Sequence, residues 1–403
     1  MLYTISNGTY TAQVDSLGAQ LVSLKGPDGW EYIWTGDPAY WTGHAPVLFP
    51  MVGGLRGGRA KIAGDWHQMG RHGFARHQEF ALAEQGEGRL VLRLESNPAT
   101  LEAYPFPCAL TVAYTLTEDG YETAFTVENT GDKPMPYAIG GHPGFNIPVD
   151  EQAAFEDYVI RFEKEETQRC PGIVGDKLLD YSQITLELEG EREIPLRHEL
   201  FARDALIFEN LNSHTVALVN PATGKGVEME FSQFPLLGIW SAQNNGPYVC
   251  LEPWTGCGTL ATEGDVFEQK KGMRTLAPSG KESYAFTIRF LYKGRAMEDW
   301  KELQRQAYQN KVDHGFNVTD VPMEFCLLYG EVGEAYQAWS RQKPDLGEEL
   351  ADVAIYLLGL AEILDVDLGQ EVRRKMDINR RRRYGVVDGV WQRLEDGSPG
   401  ENA

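Results

Sequence analysis

The chain is short of the features that would make it a secreted, membrane or nucleic-acid-binding protein. Its five cysteines (Cys108, Cys170, Cys250, Cys257 and Cys326) are odd in number and include no CxxC pair. That excludes an obvious disulfide framework or zinc site. Cys250 and Cys257 flank Glu252, but free cysteines more often act as small apolar residues, and buried thiols are expected here. Basic residues are scarce: 37 Lys and Arg stand against 59 Asp and Glu, a formal charge of −22. Such a balance opposes nonspecific binding to nucleic acid or to an anionic membrane. No stretch approaches the roughly 18 apolar residues of a membrane span. The opening Met1-Leu2-Tyr3-Thr4 has no basic segment leading into an apolar run, so no signal peptide is expected. No internal repeat or low-complexity tract is present.

What the chain does contain is ample core material, 42% hydrophobic and 11% aromatic over 403 residues. That length predicts two domains. Residues 1–292 read as β. Leu90–Glu95, Leu110–Tyr114, Tyr121–Glu128, Val227–Phe231 and Tyr284–Phe290 alternate apolar and polar, and Gly, Asn and Asp lie between such runs. Period-2 runs of this kind predict antiparallel strands and a large β-sandwich. Residues 293–297 (Lys-Gly-Arg-Ala-Met) form a linker, and the texture then turns helical over 298–390. Helices are expected over Met297–Gln309, Met323–Arg341, Gly347–Leu364 and Asp367–Arg383. Asp320 is a cap candidate, and Pro322 suits a first helical turn. Residues 391–403 are expected to be a tail. From residue 296 onward there are 13 basic and 21 acidic residues, a net of −8 that leaves −14 for the β part. Neither part is basic.

Three segments set ionisable groups among glycines, prolines and aromatics: Arg71–Arg76, Gly140–Asn146 and Cys250–Gly256. Glycines let a backbone approach a ligand closely, and proline fixes a turn. His142 sits in Gly-Gly-His-Pro-Gly-Phe. Glu252 follows an apolar strand and precedes Pro253-Trp254-Thr255-Gly256, and tryptophan faces stack on pyranose CH groups. His72 and Arg76 share a motif with Phe74. Two histidines, a carboxylate and arginines suit the opening of a pyranose ring, in which one group takes a proton and another gives one. Taken singly, each residue could equally be a turn cap, a hydrogen-bonder or a salt-bridged strand end.

Jointly, these segments resemble the aldose 1-epimerase (galactose mutarotase-like) superfamily, above all its bacterial LacX-like and hexose-6-phosphate epimerase-like members. The resemblance covers residues 1–292 and includes Pro46–Pro50, His72–Arg76, Gly141–Phe145, Asp204–Leu206 and Gly238–Ser241. It implies a β-supersandwich with the site in an open cleft and no cofactor. Glu252 then matches the general base acting on the anomeric hydroxyl. His142 matches the general acid at the ring oxygen, His72 a second histidine holding substrate, and Asp204 an acid that binds sugar hydroxyls. Trp254, Arg56 and Arg76 complete the expected substrate contacts. Relatives carry an arginine where this chain has Gly54, which leaves Arg56 or Arg59 to reach the same ligand atoms; otherwise the substrate differs or activity is weaker. Arg71, Arg76 and one of these two could also hold a sugar phosphate.

In the helical part, Glu331 and Glu334 stand at i, i+3, and Glu349 and Asp352 repeat that spacing on the next helix. Packed antiparallel, the helices would gather four carboxylates, a costly cluster unless cations neutralise it. Hard divalent ions, Mg²⁺ above all, suit an all-carboxylate set; two solvated acidic faces are the alternative. The tract resembles the MazG-like all-α nucleotide pyrophosphohydrolases, whose ExxE and ExxD elements these four residues match. Lys375, Asn379 and Arg382 match a downstream pattern that would bind phosphates. Gly330 stands where the fuller signature has another acid, with Glu324 a possible substitute. The resemblance implies Mg²⁺-assisted hydrolysis of a nucleoside triphosphate and assembly as a homodimer or larger through the helical domain. The run Arg380–Arg383 reads as a phosphate or dimer contact or as a solvated helix end.

The expectation is therefore a cytoplasmic bacterial two-domain protein: a mutarotase acting on a hexose or hexose phosphate, with an appended MazG-like module. A non-catalytic carbohydrate-binding sandwich, with the helical domain as oligomerisation module or sole enzyme, is the rival.

Overall fold

The computed structural model describes residues 1–27, 29–149, 153–291, 300–381, 384–387 and 390–393. The chain divides into two compact units, Met1–Tyr292 and Lys293–Ala403. The expected linker, 293–297, lies outside the described residues.

Among the described residues of the first unit, the largest sheet has nine strands. Its order runs Leu178–Pro195, Val159–Val174, Thr215–Val219, Gly226–Glu230, Lys281–Leu291, Gly120–Asn129, Cys108–Leu116, Arg89–Glu95 and Ala81–Gly86. Every pairing in it is antiparallel. The alternating runs of the sequence are its centre, because a half-buried strand must point every second residue inward. In Gly120–Asn129 the inward set is Tyr121, Thr123, Phe125, Val127 and Asn129. A second sheet runs Leu206–Glu209, Leu236–Trp240, Tyr248–Trp254, Gly140–Gly141 and Val47–Leu48, with Gly144–Asn146 also paired to Tyr248–Trp254. Phe125, Val127, Phe286 and Ile288 of the large sheet share one core with Phe49, Ile239, Val249 and Leu251. Burying each such side chain is worth about 1.5–3 kcal/mol.

The second unit has helices Trp300–Asp313, Val321–Ser340, Leu346–Ile363 and Leu368–Arg381. The Asp320 side chain accepts the Met323 N–H at 3.1 Å, and Pro322 lies in the first turn. The expected tail, 391–403, begins inside a paired strand. Tyr384–Val387 pairs antiparallel with Val390–Arg393, and the apolar pairs flanking Asp388-Gly389 are a hairpin signal that the reading passed over.

Candidate active sites

In the first unit, glycines place the reactive side chains. Gly140 pairs with Trp254 and with Leu48, and Gly141 with Val47. A Cβ at Gly140 would meet the Trp254 ring at 2.6 Å, and one at Gly141 would meet the Phe286 ring at 2.8 Å. Only glycine lets this short strand lie so close to its neighbours, and His142 emerges at its end. Glu252 lies directly across from Gly238, so no side chain crowds it from the neighbouring strand. His72 has φ +67°, in a turn closed by Gly73, whose Cβ would meet the Phe49 carbonyl oxygen at 2.1 Å. The His72 N–H donates to the Gly53 carbonyl at 2.8 Å, and the Gly53 N–H donates to His72 Nδ1 at 3.1 Å. The reciprocal pair makes Nδ1 an acceptor and leaves the ring proton on Nε2.

These elements converge. His142 Nε2 lies 3.2 Å from Glu252 Oε1, and both side chains are buried. The Trp41 ring lies 4.9 Å from the His142 ring at 30°, Trp240 stands edge-on to it at 5.7 Å, and His72 is 5.7 Å away. Asp204, at φ +82°, accepts from Arg71 at 3.3 Å and Lys177 at 2.9 Å. Burial pushes the Glu252 carboxyl well above the usual carboxylate range, against the pull of Arg71. Burial also takes the His142 imidazole down to about 3, opposed first by a hydrogen bond to its own backbone and then by Asp204, with Arg71 and Arg76 adding to the lowering. His72 is held well below its ordinary value by burial, then by Arg71, His142 and Arg76. Burial alone would raise the Asp204 carboxyl, but Arg71 and Lys177 hold it below its usual range. Burial therefore favours the protonated acid at Glu252 and the neutral ring at His142, while its cations favour the ionised form of Asp204.

Three expectations change. Arg56 is engaged away from His142 and Glu252: its guanidinium donates to the carbonyls of Leu260, Ala261 and Glu263 and pairs with Asp265 at 3.3 Å. Arg59 lies over the Trp66 ring. Trp254 is buried across Gly238 and Gly140, so it backs the wall behind Glu252; the partly exposed indoles beside His142 are Trp41 and Trp240. A Cβ at Gly54 would face the Asp176 carbonyl at 3.1 Å and Lys177 Cβ at 3.4 Å. The turn carrying Lys177 fills that space, and Lys177 supplies a second cation, beside Arg71, that reaches Asp204. Arg76 is partly buried, and its Nε contacts His77. His142, Cys250 and Glu252 are close enough to share an ion. Burial favours the thiol at Cys250 and the protonated acid at Glu252, so the trio offers a cation little negative charge.

In the second unit, one carboxylate oxygen each of Glu331, Glu334 and Glu349 lies within 4.8 Å of the others. Burial and then repulsion from Glu334, Asp352 and Glu349 raise the Glu331 carboxyl, with Lys311 opposing. An all-oxygen set whose members repel one another fits a hard divalent cation. Glu324, the possible substitute for a missing ligand, already has a partner on each oxygen. One of its oxygens accepts from Lys311 at 2.6 Å and the other from Asn317 at 2.9 Å. Lys375 and Asn379 are exposed on the last helix, on one side by their i, i+4 spacing; Arg382 lies outside the described residues. Beside the acids runs an open apolar groove of ≈340 Å³ lined by Val332, Tyr336, Trp339, Leu346, Leu350 and Val353. No described helix is long and apolar enough to cross a membrane.

Known proteins divide along the same boundary. The family model for aldose 1-epimerase matches residues 1–277. The chromosomal LacX protein of Lactococcus lactis subsp. lactis is 37% identical over 304 residues, covering 72% of this chain and 99% of that protein. The X-ray structure of a galactose mutarotase related enzyme from Lactobacillus acidophilus superposes with a TM-score of 0.68 at 31% identity, covering 72% of this chain and 97% of that one. The C-terminal region resembles dCTP pyrophosphatase 1 of Bos taurus, 48% identical over 69 residues, 14% of this chain and 41% of that protein.

Proposed function

The chain belongs to the aldose 1-epimerase family, isomerases acting on carbohydrates, and on that premise we propose that Glu252 and His142 open and close the ring of a hexose or hexose phosphate. Glu252 as carboxylate takes the proton of the anomeric hydroxyl. His142 as imidazolium gives a proton to the ring oxygen, and the C1–O5 bond breaks. The aldehyde turns about C1–C2, and the ring closes on its other face as His142 recovers its proton and Glu252 returns the other. Between the two half-reactions the pair stands as neutral acid and neutral base, the state that burial favours in the free site. Trp41 and Trp240 would stack on the sugar, and Asp204, held by Arg71 and Lys177, would accept its hydroxyls. His72 would donate from Nε2, and Arg76 would lie at the margin of the sugar.

The observation that carries this reading is the 3.2 Å apposition of His142 Nε2 and Glu252 Oε1 with their proton affinities pushed in opposite directions. It is tested by mutarotation of freshly dissolved α-D-glucose, α-D-galactose and a hexose 6-phosphate, with wild type beside Glu252→Gln. Wild type should accelerate at least one, and the variant should lose the acceleration. Uncatalysed rates throughout, with hexose binding seen by calorimetry, would leave a sugar-binding sandwich.

For the second unit the convergent carboxylates of Glu331, Glu334 and Glu349 favour a nucleoside triphosphate pyrophosphohydrolase. These three, with Asp352, would hold Mg²⁺, which would supply an activated water. Lys375 and Asn379 would meet the phosphates. dCTP is the first nucleotide to try, on the resemblance to dCTP pyrophosphatase 1. The groove lined by Tyr336 and Trp339 is suited to a second copy of the helical unit, a homodimer that light scattering would detect. Both substrates would place the protein in the cytoplasm.

A further inference from the structure

His142 also lines a cavity that Glu252 does not line, and the ring-opening chemistry above leaves it unused. It measures ≈10 Å³, on the scale where one water molecule needs about 10–15 Å³. Tyr121, Thr123 and His142 all line it. The Tyr121 hydroxyl, the Thr123 hydroxyl and His142 Nδ1 are each buried, and none has a hydrogen-bond partner in another residue. Buried polar atoms are rarely left so, and each lost bond costs about 1–3 kcal/mol. Three such atoms around one water-sized space is the composition of a hydrated internal site.

The strand pattern explains how they meet. Tyr121, Thr123 and Phe125 follow one another on the inward face of Gly120–Asn129. Gly141 carries no side chain, and its Cβ position abuts Phe286 and Phe125. The backbone before His142 therefore rests directly on that face, and His142 comes to line the same cavity as Tyr121 and Thr123.

We propose that Tyr121 and Thr123, through one water molecule in this cavity, are positioning residues that partner His142 Nδ1 and so let a buried His142 carry its proton. The proposal rests on the ring-opening reading. An imidazolium has an N–H at both nitrogens, whereas a neutral ring has one. As His142 gains and loses its catalytic proton at Nε2, Nδ1 keeps its own hydrogen and requires an acceptor throughout. Hydroxyl groups and water accept as readily as they donate. Without them the Nδ1–H of the charged ring would be left with the carbonyl of its own residue alone, and the acid that protonates the ring oxygen would form less often. Both residues are buried and would act through His142 alone, so the loss belongs to kcat and not to KM.

The test compares the full-length protein with Thr123→Val, Thr123→Ser, Tyr121→Phe and the Tyr121→Phe/Thr123→Val double variant. Each is followed by mutarotation kinetics and by ¹⁵N spectra that report the proton on each His142 nitrogen. The double variant should lose about tenfold or more in kcat, the size typical of a hydrogen bond to a charged group, with KM within about twofold. Thr123→Ser should retain wild-type kcat. The His142 Nδ1 resonance should move in Thr123→Val and in the double variant and stay put in Thr123→Ser. An unmoved Nδ1 resonance in the double variant overturns the proposal even if no sugar is turned over, because the spectra need no activity. An unchanged kcat alongside an active wild type overturns it equally. If wild type proves inactive while Nδ1 moves as described, the ring-opening reading fails and the buried hydration site stands.

Discussion

The two units use carboxyl groups in opposite environments. Glu252 is a single acid sealed among strands and indoles, and burial raises its proton affinity. Glu331 is an acid near the surface, raised in part by Glu334, Asp352 and Glu349 around it. The first arrangement holds a proton and passes it on. The second holds surplus negative charge and calls for a cation. The same side-chain type thus serves acid–base chemistry where charge is scarce and metal-assisted chemistry where it is crowded.

The comparison breaks most sharply under Glu252→Gln. Acid–base groups of this kind are worth roughly 10²–10⁴-fold in rate, so mutarotation should fall by that order while pyrophosphate release from a nucleotide panel is untouched. Chelation of divalent ions should do the reverse. A mutarotase rate that collapsed in chelator would mean that His142, Cys250 and Glu252 hold an ion, and the two units would not differ in this way. No pyrophosphate release with any nucleotide at saturating Mg²⁺, and no Mg²⁺ binding, would reduce the helical unit to an assembly module.

The next effect is one of stability and belongs to the helical unit. Glu324→Ala removes the partner of the buried Lys311 ammonium, which also lies 4.2 Å over the Tyr356 ring. Stranding such a charge costs about 3–5 kcal/mol. The variant should lose helical signal at lower temperature and keep its mutarotase rate. Replacing both residues, Lys311→Met with Glu324→Leu, should recover most of the loss, because an apolar pair of similar volume tends to match a buried ion pair. If Glu324→Ala melts like wild type, the pair is less buried than the structure has it.

Much of this was legible in the sequence wherever the signal is local. Strand alternation marked the centre of the large sheet, and glycines around His142 marked a place of close backbone approach. The long hairpin of Val159–Val174 and Leu178–Pro195 escaped notice because it is exposed over much of its length, and Glu and Arg hide its period. Long-range partners were not legible at all. Nothing near Arg56 in sequence says that its donors are taken by carbonyls more than 200 residues away. Trp41, Trp240 and Lys177 join the site from separate strands and turns, so no motif contains them. Tyr121 and Thr123 read as ordinary inward positions, since alternation reports burial and not what a hydroxyl faces.

The smallest effect tests whether Lys177 is the cation that the Gly54 position lacks. Lys177 lies 2.9 Å from Asp204 but is half-exposed, so solvent limits the ion pair to about 1 kcal/mol or less. Lys177→Gln keeps a flexible polar side chain, one atom shorter, on the same left-handed backbone while removing the charge. Asp204 has a depressed proton affinity in the folded state. Its contribution to stability is therefore complete above the unfolded carboxyl value and is lost as pH falls through the folded one. Removing Lys177 raises the folded value toward the ordinary one. Urea unfolding should then show a small deficit at pH 7 that shrinks toward pH 3, and KM for the sugar should rise a few-fold with kcat nearly unchanged. A deficit equal at both pH values would assign Lys177 to the packing of its turn, and an unchanged KM would remove Asp204 and its cations from the sugar site.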